Sequence, residues 1–63
     1  MTGIYYIRKA KGMTQIDLAR RVNVSQPYIH DLELGNRHGK PETLARIAQA
    51  LKCTVDDLKE RKD

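Results

Sequence analysis

The chain has 63 residues, a formal net charge of +4 and a pI near 9.5. A chain of this length is expected to fold as one small domain, residues 1–63. Its single cysteine excludes an internal disulfide and suits a reducing cytoplasm. No apolar run approaches the roughly 18 residues of a membrane span, so no membrane association is expected. The excess positive charge favours nucleic acid or an anionic surface as partner, although an ordinary soluble protein can also be basic.

The first half of the chain contains three predicted helices. Helix 1 is predicted over Gly3 to Lys11, followed by Gly12 as a stop. Helix 2 opens at Thr14 and has a buried stripe that includes Leu18. Helix 3 opens at Ser25 and ends at Gly35. No segment alternates polar and apolar residues over a useful length, so no strand is predicted.

The second half contains two more predicted helices. Helix 4 begins near Pro41, a residue suited to a first helical turn, and continues with apolar residues at helical spacing through Leu51. Helix 5 opens at Thr54 and carries Val55 and Leu58. Cys53 precedes this start at the position of a hydrophobic staple, which favours packing over a redox or metal role.

The predicted starts of helices 2, 3 and 5 share a capping pattern. Thr14, Ser25 and Thr54 can each accept a hydrogen bond from a free backbone N–H. Asp17 and Asp57 lie three residues after their caps, the spacing of a capping box. Caps and apolar stripes therefore agree on an all-α, compact five-helix bundle.

The junction between helices 2 and 3 is too short for a relaxed loop. Asn23 lies at its centre, where a left-handed backbone is needed and asparagine is the best tolerated residue after glycine. Ala19 is small enough for helix 3 to approach closely, and Val22 and Val24 can anchor the turn to the core. This pattern predicts a helix-turn-helix over residues 14–35.

The sequence resembles the XRE family, the phage-repressor and Cro-like helix-turn-helix proteins, over nearly its whole length. The resemblance rests on Arg8, GMTQIDLA, Val22-Asn23-Val24-Ser25, Tyr28-Ile29, Leu32-Glu33-Leu34-Gly35, LARIAQAL and CTVDDL. It implies a lambda-repressor-like DNA-binding domain. Asn23 and Lys52 stand where the family prefers glycine.

The resemblance implies that helix 3 lies in the major groove of DNA, with base readout by Gln26, Pro27, His30 and Asp31. Gln26 can bind adenine through two hydrogen bonds. Pro27 can contact a thymine methyl group or simply stiffen the helix start. His30 can donate to a base or a phosphate, and Asp31 can accept from cytosine or reject other sequences. Gln26, His30 and Asp31 could each instead be an ordinary solvated residue.

The resemblance also implies that the starts of helices 2 and 3 face DNA phosphates. Gln15 matches the family's phosphate-binding glutamine, and Tyr28 can reach a phosphate or pack against helix 2. The candidate phosphate contacts are Thr14, Gln15, Ser25, Tyr28, Asn36, Arg37, His38 and Lys40. An ordinary solvated loop is the alternative for the last four.

Arg8 and Glu33 match an arginine and a glutamate that pair in relatives, which implies a structural ion pair between helices 1 and 3. Free solvated charges are the alternative. No set of histidine, cysteine and carboxylate residues has the spacing of a compact zinc site. No nucleophile, general base or phosphate-binding loop is recognisable. We therefore expect no metal, no cofactor and no enzymatic activity.

The sequence thus predicts a cytoplasmic, nucleoid-associated transcriptional regulator that binds double-stranded DNA. A repressor that binds a palindromic operator as a homodimer is the first hypothesis. The dimer surface is open: helix 5 and the segment after helix 4 serve in some relatives, and Ile16, Tyr5 or Tyr6 could offer another patch. An antitoxin-like module that binds a toxin partner and its own promoter is the alternative. A third possibility is a protein-interaction module that has lost DNA binding.

Overall fold

The computed structural model describes residues 1–59. These residues form four α-helices and one short 3-10 turn, with no strand among them. We name the helices α1 (Gly3–Ala10), α2 (Gln15–Val22), α3 (Gln26–Leu34) and α4 (Pro41–Leu51). The all-helical prediction is confirmed, and no helix among the described residues is long and apolar enough to cross a membrane.

The predicted fifth helix is not confirmed: within residues 1–59, the element that follows α4 is a 3-10 turn, Asp56–Leu58. The predicted cap is present: the Oγ1 atom of Thr54 accepts from the N–H of Asp57, and an Asp57 carboxylate oxygen accepts from the N–H of Thr54. At Lys59, however, the backbone is extended, with φ −70° and ψ 165°. The Lys59 carbonyl accepts from the N–H of Gly3 at 2.9 Å, so a contact with the start of α1 replaces further helix.

One apolar core joins the four helices and the turn. α2 packs against both α3 and α4, while α1 packs against α3 and the turn. The buried apolar residues are Ile4, Leu18, Ala19, Val22, Ile29, Leu32, Ile47, Ala48, Leu51 and Leu58. Met13, Val24 and Cys53, which directly precede Thr14, Ser25 and Thr54, are half-buried against this core.

Cys53 has the packing role that its position predicts. Its side chain is half-buried against the core, and burial raises the pKa of its thiol, with a further contribution from the nearby Asp57 carboxylate. Both effects favour the neutral thiol, which is the less reactive form.

The start of α1 closes the bundle against the end of α3 and the last described residues. The N–H of Thr2 donates to the carbonyl of Glu33 at 2.9 Å, and the Thr2 hydroxyl donates to the carbonyl of Leu32 at 3.2 Å. A Cβ atom at Gly3 would overlap the carbonyl oxygen of Asp57. Glycine therefore permits the close approach of α1 to the 3-10 turn.

Candidate nucleic-acid interface

The turn between α2 and α3 has the predicted left-handed residue. Asn23 has φ 60° and ψ 48°. The N–H of Val24 donates to the carbonyl of Ala19 at 3.0 Å, which satisfies a carbonyl at the end of α2. Ala19 is buried, as close packing of the two helices requires. This local geometry brings the starts of α2 and α3 onto one surface.

α3 has one buried side and one exposed side. Ile29, Leu32 and Glu33 are buried, and the predicted readout residues lie elsewhere on the helix. Gln26, Pro27 and His30 are exposed, and Asp31 is half-buried. Three of the four predicted readout residues are therefore open to a partner in this conformation.

Arg8 and Glu33 form an ion pair inside the protein. Glu33 is fully buried, and only 6% of Arg8 is exposed. The Arg8 Nε and Nη2 atoms donate to the two carboxylate oxygens of Glu33 at 2.6 and 3.0 Å. The remaining Arg8 nitrogen, Nη1, donates to the carbonyl of Met13 at 2.7 Å. The pair thus joins α1, α3 and the segment before α2.

Gln15 connects this ion pair to the exposed side of α3. Its Nε2 atom donates to the Glu33 carboxylate at 2.9 Å and lies 3.4 Å from Nδ1 of His30. Its Oε1 atom accepts from Nε2 of Gln26. We call Arg8, Glu33, Gln15, Gln26 and His30 the polar cluster. Sequence reasoning assigned Gln15 to phosphate, and it missed that the same amide contacts Gln26 and Glu33.

Two predicted phosphate residues have hydroxyl groups that cap helices. The Thr14 hydroxyl accepts from the N–H of Asp17 at 3.0 Å, and the Ser25 hydroxyl accepts from the N–H of Tyr28 at 3.3 Å. A carboxylate oxygen of Asp17 in turn accepts from the backbone N–H of Thr14 at 3.0 Å. This hydrogen bond, followed by the one from the Thr14 hydroxyl, lowers the pKa of Asp17 below its ordinary value of 3.8.

The predicted basic loop after α3 is exposed. Asn36, Arg37, His38 and Lys40 are all open to solvent. The Arg37 guanidinium lies 5.2 Å from the centre of the Tyr28 ring, within the range of a cation–π contact. Tyr28 is also half-buried against the core. The contact holds an Arg37 charge near α3, and no pattern in the sequence predicts it.

Lys9 was missed as a candidate contact. It lines a shallow cleft at the start of α2 together with Thr14, Gln15 and Gln26. The available signal was its place in a basic first segment, where Arg8, Lys9 and Lys11 occur without an acid. A cation in this cleft adds to the positive potential of the neighbouring helix start.

The candidate dimer residues differ in exposure. Ile16 is 52% exposed and Tyr6 is 38% exposed. Tyr5 is half-buried, and its ring lies 5.6 Å from the Arg8 guanidinium carbon. In the segment after α4, Val55 is 39% exposed.

Within residues 1–59, no group of three or more histidine, cysteine or carboxylate residues is arranged to hold a metal ion.

Comparison with known proteins agrees with this geometry. A family model described as Helix-turn-helix matches residues 4–58. The HTH-type transcriptional regulator DdrOP3 of Deinococcus deserti is 37% identical over 54 residues, which cover 86% of this chain and 42% of the relative. The Competence pilus inhibition repressor of Acinetobacter baylyi is 34% identical over 55 residues, 87% of this chain and 50% of the relative.

A third relative is the uncharacterized HTH-type transcriptional regulator y4dJ of Sinorhizobium fredii. It is 42% identical over 45 residues, which cover 71% of this chain and 58% of the relative. The chain spans about half the length of these curated relatives. The region that the family model matches includes α1 from its second residue, all of α2, α3 and α4, and the turn between α2 and α3. The chain therefore belongs to the XRE family of helix-turn-helix proteins.

Proposed function

We propose that the protein is a transcriptional regulator that binds double-stranded DNA and acts as a repressor. The observation that carries the proposal is the exposed side of α3, where Gln26 and His30 are held beside Gln15 at the start of α2. Amide and imidazole groups can bind base edges in the major groove. Because its function is exerted on chromosomal DNA, the protein would act in the cytoplasm, at the nucleoid.

Two further features support an anionic partner on the same side. The starts of α2 and α3 carry backbone N–H groups that attract phosphate. The exposed loop with Arg37, His38 and Lys40 adds positive charge after α3. In this arrangement, phosphate contacts fix the position of the protein while Gln26 and His30 read bases.

The proposed assembly on DNA is a homodimer on a palindromic operator. Two-fold symmetry would place two copies of α3 in successive major grooves, about 34 Å apart. Occupation of such a site near a promoter would prevent polymerase from binding and so repress transcription.

The decisive experiment is selection of bound sequences from a random duplex pool at roughly physiological salt, where non-specific binding is weak. We expect enrichment of an inverted repeat whose half-sites are about 10 base pairs apart. A folded protein that enriches no sequence would contradict DNA readout, and it would favour a protein-interaction module that has lost DNA binding. Enrichment of an isolated half-site would contradict the homodimer.

Gln26→Ala tests base readout on the selected site. We expect a loss of about 1–3 kcal/mol in binding to that site and little change on random DNA, because the amide reads bases and does not neutralise phosphate. Fluorescence anisotropy with both duplexes measures the two affinities. Equal losses on both duplexes would exclude Gln26 from readout.

Arg37→Ala tests the basic loop. We expect weaker binding to all duplexes and a salt dependence reduced by about one unit of slope, since one phosphate contact is lost. Arg37→Lys is the matched control, because it keeps the charge and removes only the planar contact with Tyr28. A slope that is unchanged in Arg37→Ala would remove Arg37 from the phosphate contacts.

A further inference from the structure

The carboxylate of Glu33 restricts which atoms the neighbouring side chains can turn toward it. It is fully buried, and its oxygens receive two hydrogen bonds from Arg8 and one from Gln15. An ionised carboxylate accepts hydrogen bonds and donates none. Any neighbour in contact with it must therefore present a donor.

Gln15 can meet this requirement in only one orientation. Its Nε2 atom must face Glu33, since the reverse orientation would place an amide oxygen against a buried carboxylate. Its Oε1 atom is then directed to Gln26 as an acceptor. The second hydrogen on Nε2 is available to Nδ1 of His30, 3.4 Å away.

The orientation of Gln15 determines what Gln26 and His30 can offer to a partner. Gln26 must turn its nitrogen toward the Gln15 oxygen, which leaves its own Oε1 atom exposed. His30 accepts through Nδ1, so a neutral imidazole carries its hydrogen on Nε2, where it can donate outward.

We propose that Glu33 is a positioning residue that acts through Gln15 to orient the amide of Gln26 and the imidazole of His30. Glu33 thereby presents an acceptor at Gln26 and a donor at His30 on the exposed side of α3. This inference rests on the proposed DNA-binding function and adds a specificity-determining residue that is itself inaccessible to DNA.

The orientation selects between classes of base. In the major groove, adenine and cytosine present an amine, whereas guanine and thymine present a carbonyl oxygen at the corresponding edge. The exposed Oε1 atom of Gln26 accepts from an amine and is repelled by a carbonyl oxygen, while the one Nε2 hydrogen that Gln15 does not accept can donate to N7 of a purine. The position read by Gln26 should therefore be adenine or cytosine in the selected site.

The first test needs no DNA and uses the three glutamines of the chain, Gln15, Gln26 and Gln49. Gln49 is exposed on α4 and serves as an internal reference. In NMR spectra of the free protein, we expect solvent exchange of the side-chain amide hydrogens to be slowest for Gln15 and fastest for Gln49. Exchange of Gln15 as fast as that of Gln49 would overturn the proposal whatever the protein binds.

The second test compares base preference in Glu33→Gln and Arg8→Lys. The base read by Gln26 is first located as the position where Gln26→Ala loses discrimination. The new amide in Glu33→Gln can accept from Arg8 through its oxygen and present its nitrogen to Gln15. Because this side chain has both a donor and an acceptor, it no longer holds the Gln15 amide in one orientation. Arg8→Lys is the matched control, because it weakens the ion pair but leaves an acceptor-only carboxylate at Glu33.

For the wild-type protein and Arg8→Lys, we expect an adenine or cytosine site to be preferred over guanine or thymine by at least about fivefold. For Glu33→Gln, this ratio should fall to within about twofold or invert. A wild-type ratio in folded Glu33→Gln would overturn the proposal. Loss of the preference in Arg8→Lys as well would assign Glu33 a purely structural role and also overturn it.

Gln15→Met keeps the experiment decisive if Glu33→Gln does not fold. It removes the connecting amide at a half-buried position and leaves the ion pair intact. The affinity ratio is measured within one variant, so a general loss of binding cancels. We expect the same loss of base preference, and an unchanged ratio would overturn the proposal.

If no DNA sequence is selected at all, the proposed function fails, whereas the exchange measurement still tests the orientation of Gln15.

Discussion

The buried end of the polar cluster, at Glu33, and the capping box at the start of α2 contain similar hydrogen bonds but differ in burial. In the polar cluster, Glu33 is fully buried and is satisfied by Arg8 and Gln15. In the capping box, Thr14 and Asp17 are exposed and exchange two bonds of 3.0 Å. Water can replace a lost partner in the capping box but not in the core. The same bond therefore contributes very differently to stability in the two regions.

Arg8→Met should produce the larger effect, because it leaves the Glu33 carboxylate buried without its cation. We expect a loss of about 3–5 kcal/mol in the free energy of unfolding, enough to unfold much of so small a protein. Urea denaturation followed by circular dichroism measures the loss. The double variant Arg8→Met with Glu33→Met is the control, because it removes the buried charge and should recover most of the stability. If the single variant is no less stable than the double variant, burial does not set the contribution of this pair.

Thr14→Ala removes the acceptor for the N–H of Asp17 in the exposed capping box. We expect a loss of about 1 kcal/mol in the free energy of unfolding, since solvent reaches the uncapped N–H. The same urea titration applies, with Thr14→Ser as the control that keeps the hydroxyl. A loss as large as that in Arg8→Met would remove the difference between the two regions.

Asp17→Asn tests the smallest contribution, through its pH dependence. The pKa of Asp17 is lowered in the folded protein, chiefly by the N–H of Thr14, so its charged form stabilises the fold above the ordinary pKa of 3.8. This contribution is lost as the pH falls through the lowered value. Thermal unfolding of both proteins from pH 6 to pH 2 should therefore show a wild-type advantage in Tm that decreases below about pH 4. An advantage that is constant with pH would contradict the role of the Asp17 charge.

Local sequence signals predicted most of the fold. Thr14, Ser25 and Thr54 all cap as expected, and Asn23 has the expected left-handed backbone. These features depend on residues within a few positions of each other, so the sequence contains the required information. Lys52 also adopts φ 56°, although glycine would be the easier residue there, because the end of α4 requires this conformation.

The missed features depend on distant parts of the chain. The cap at Thr54 correctly indicated a helical start, but the contact between Lys59 and Gly3 ended it after one 3-10 turn. The Arg8–Glu33 pair was accessible only through resemblance to a family. The contacts of Gln15 with Gln26 and Glu33 depend on how α2 and α3 pack, and no local spacing encodes that distance.

The crowding at Gly3 has a consequence for attempts to engineer the protein. Helix propensity alone recommends alanine at this position, because glycine is the poorer residue inside a helix by about 1 kcal/mol. The carbonyl of Asp57 occupies the space that a methyl group would need. A substitution chosen to strengthen α1 would therefore separate it from the 3-10 turn. The atom that restricts residue 3 to glycine therefore belongs to a residue more than fifty positions away in the chain.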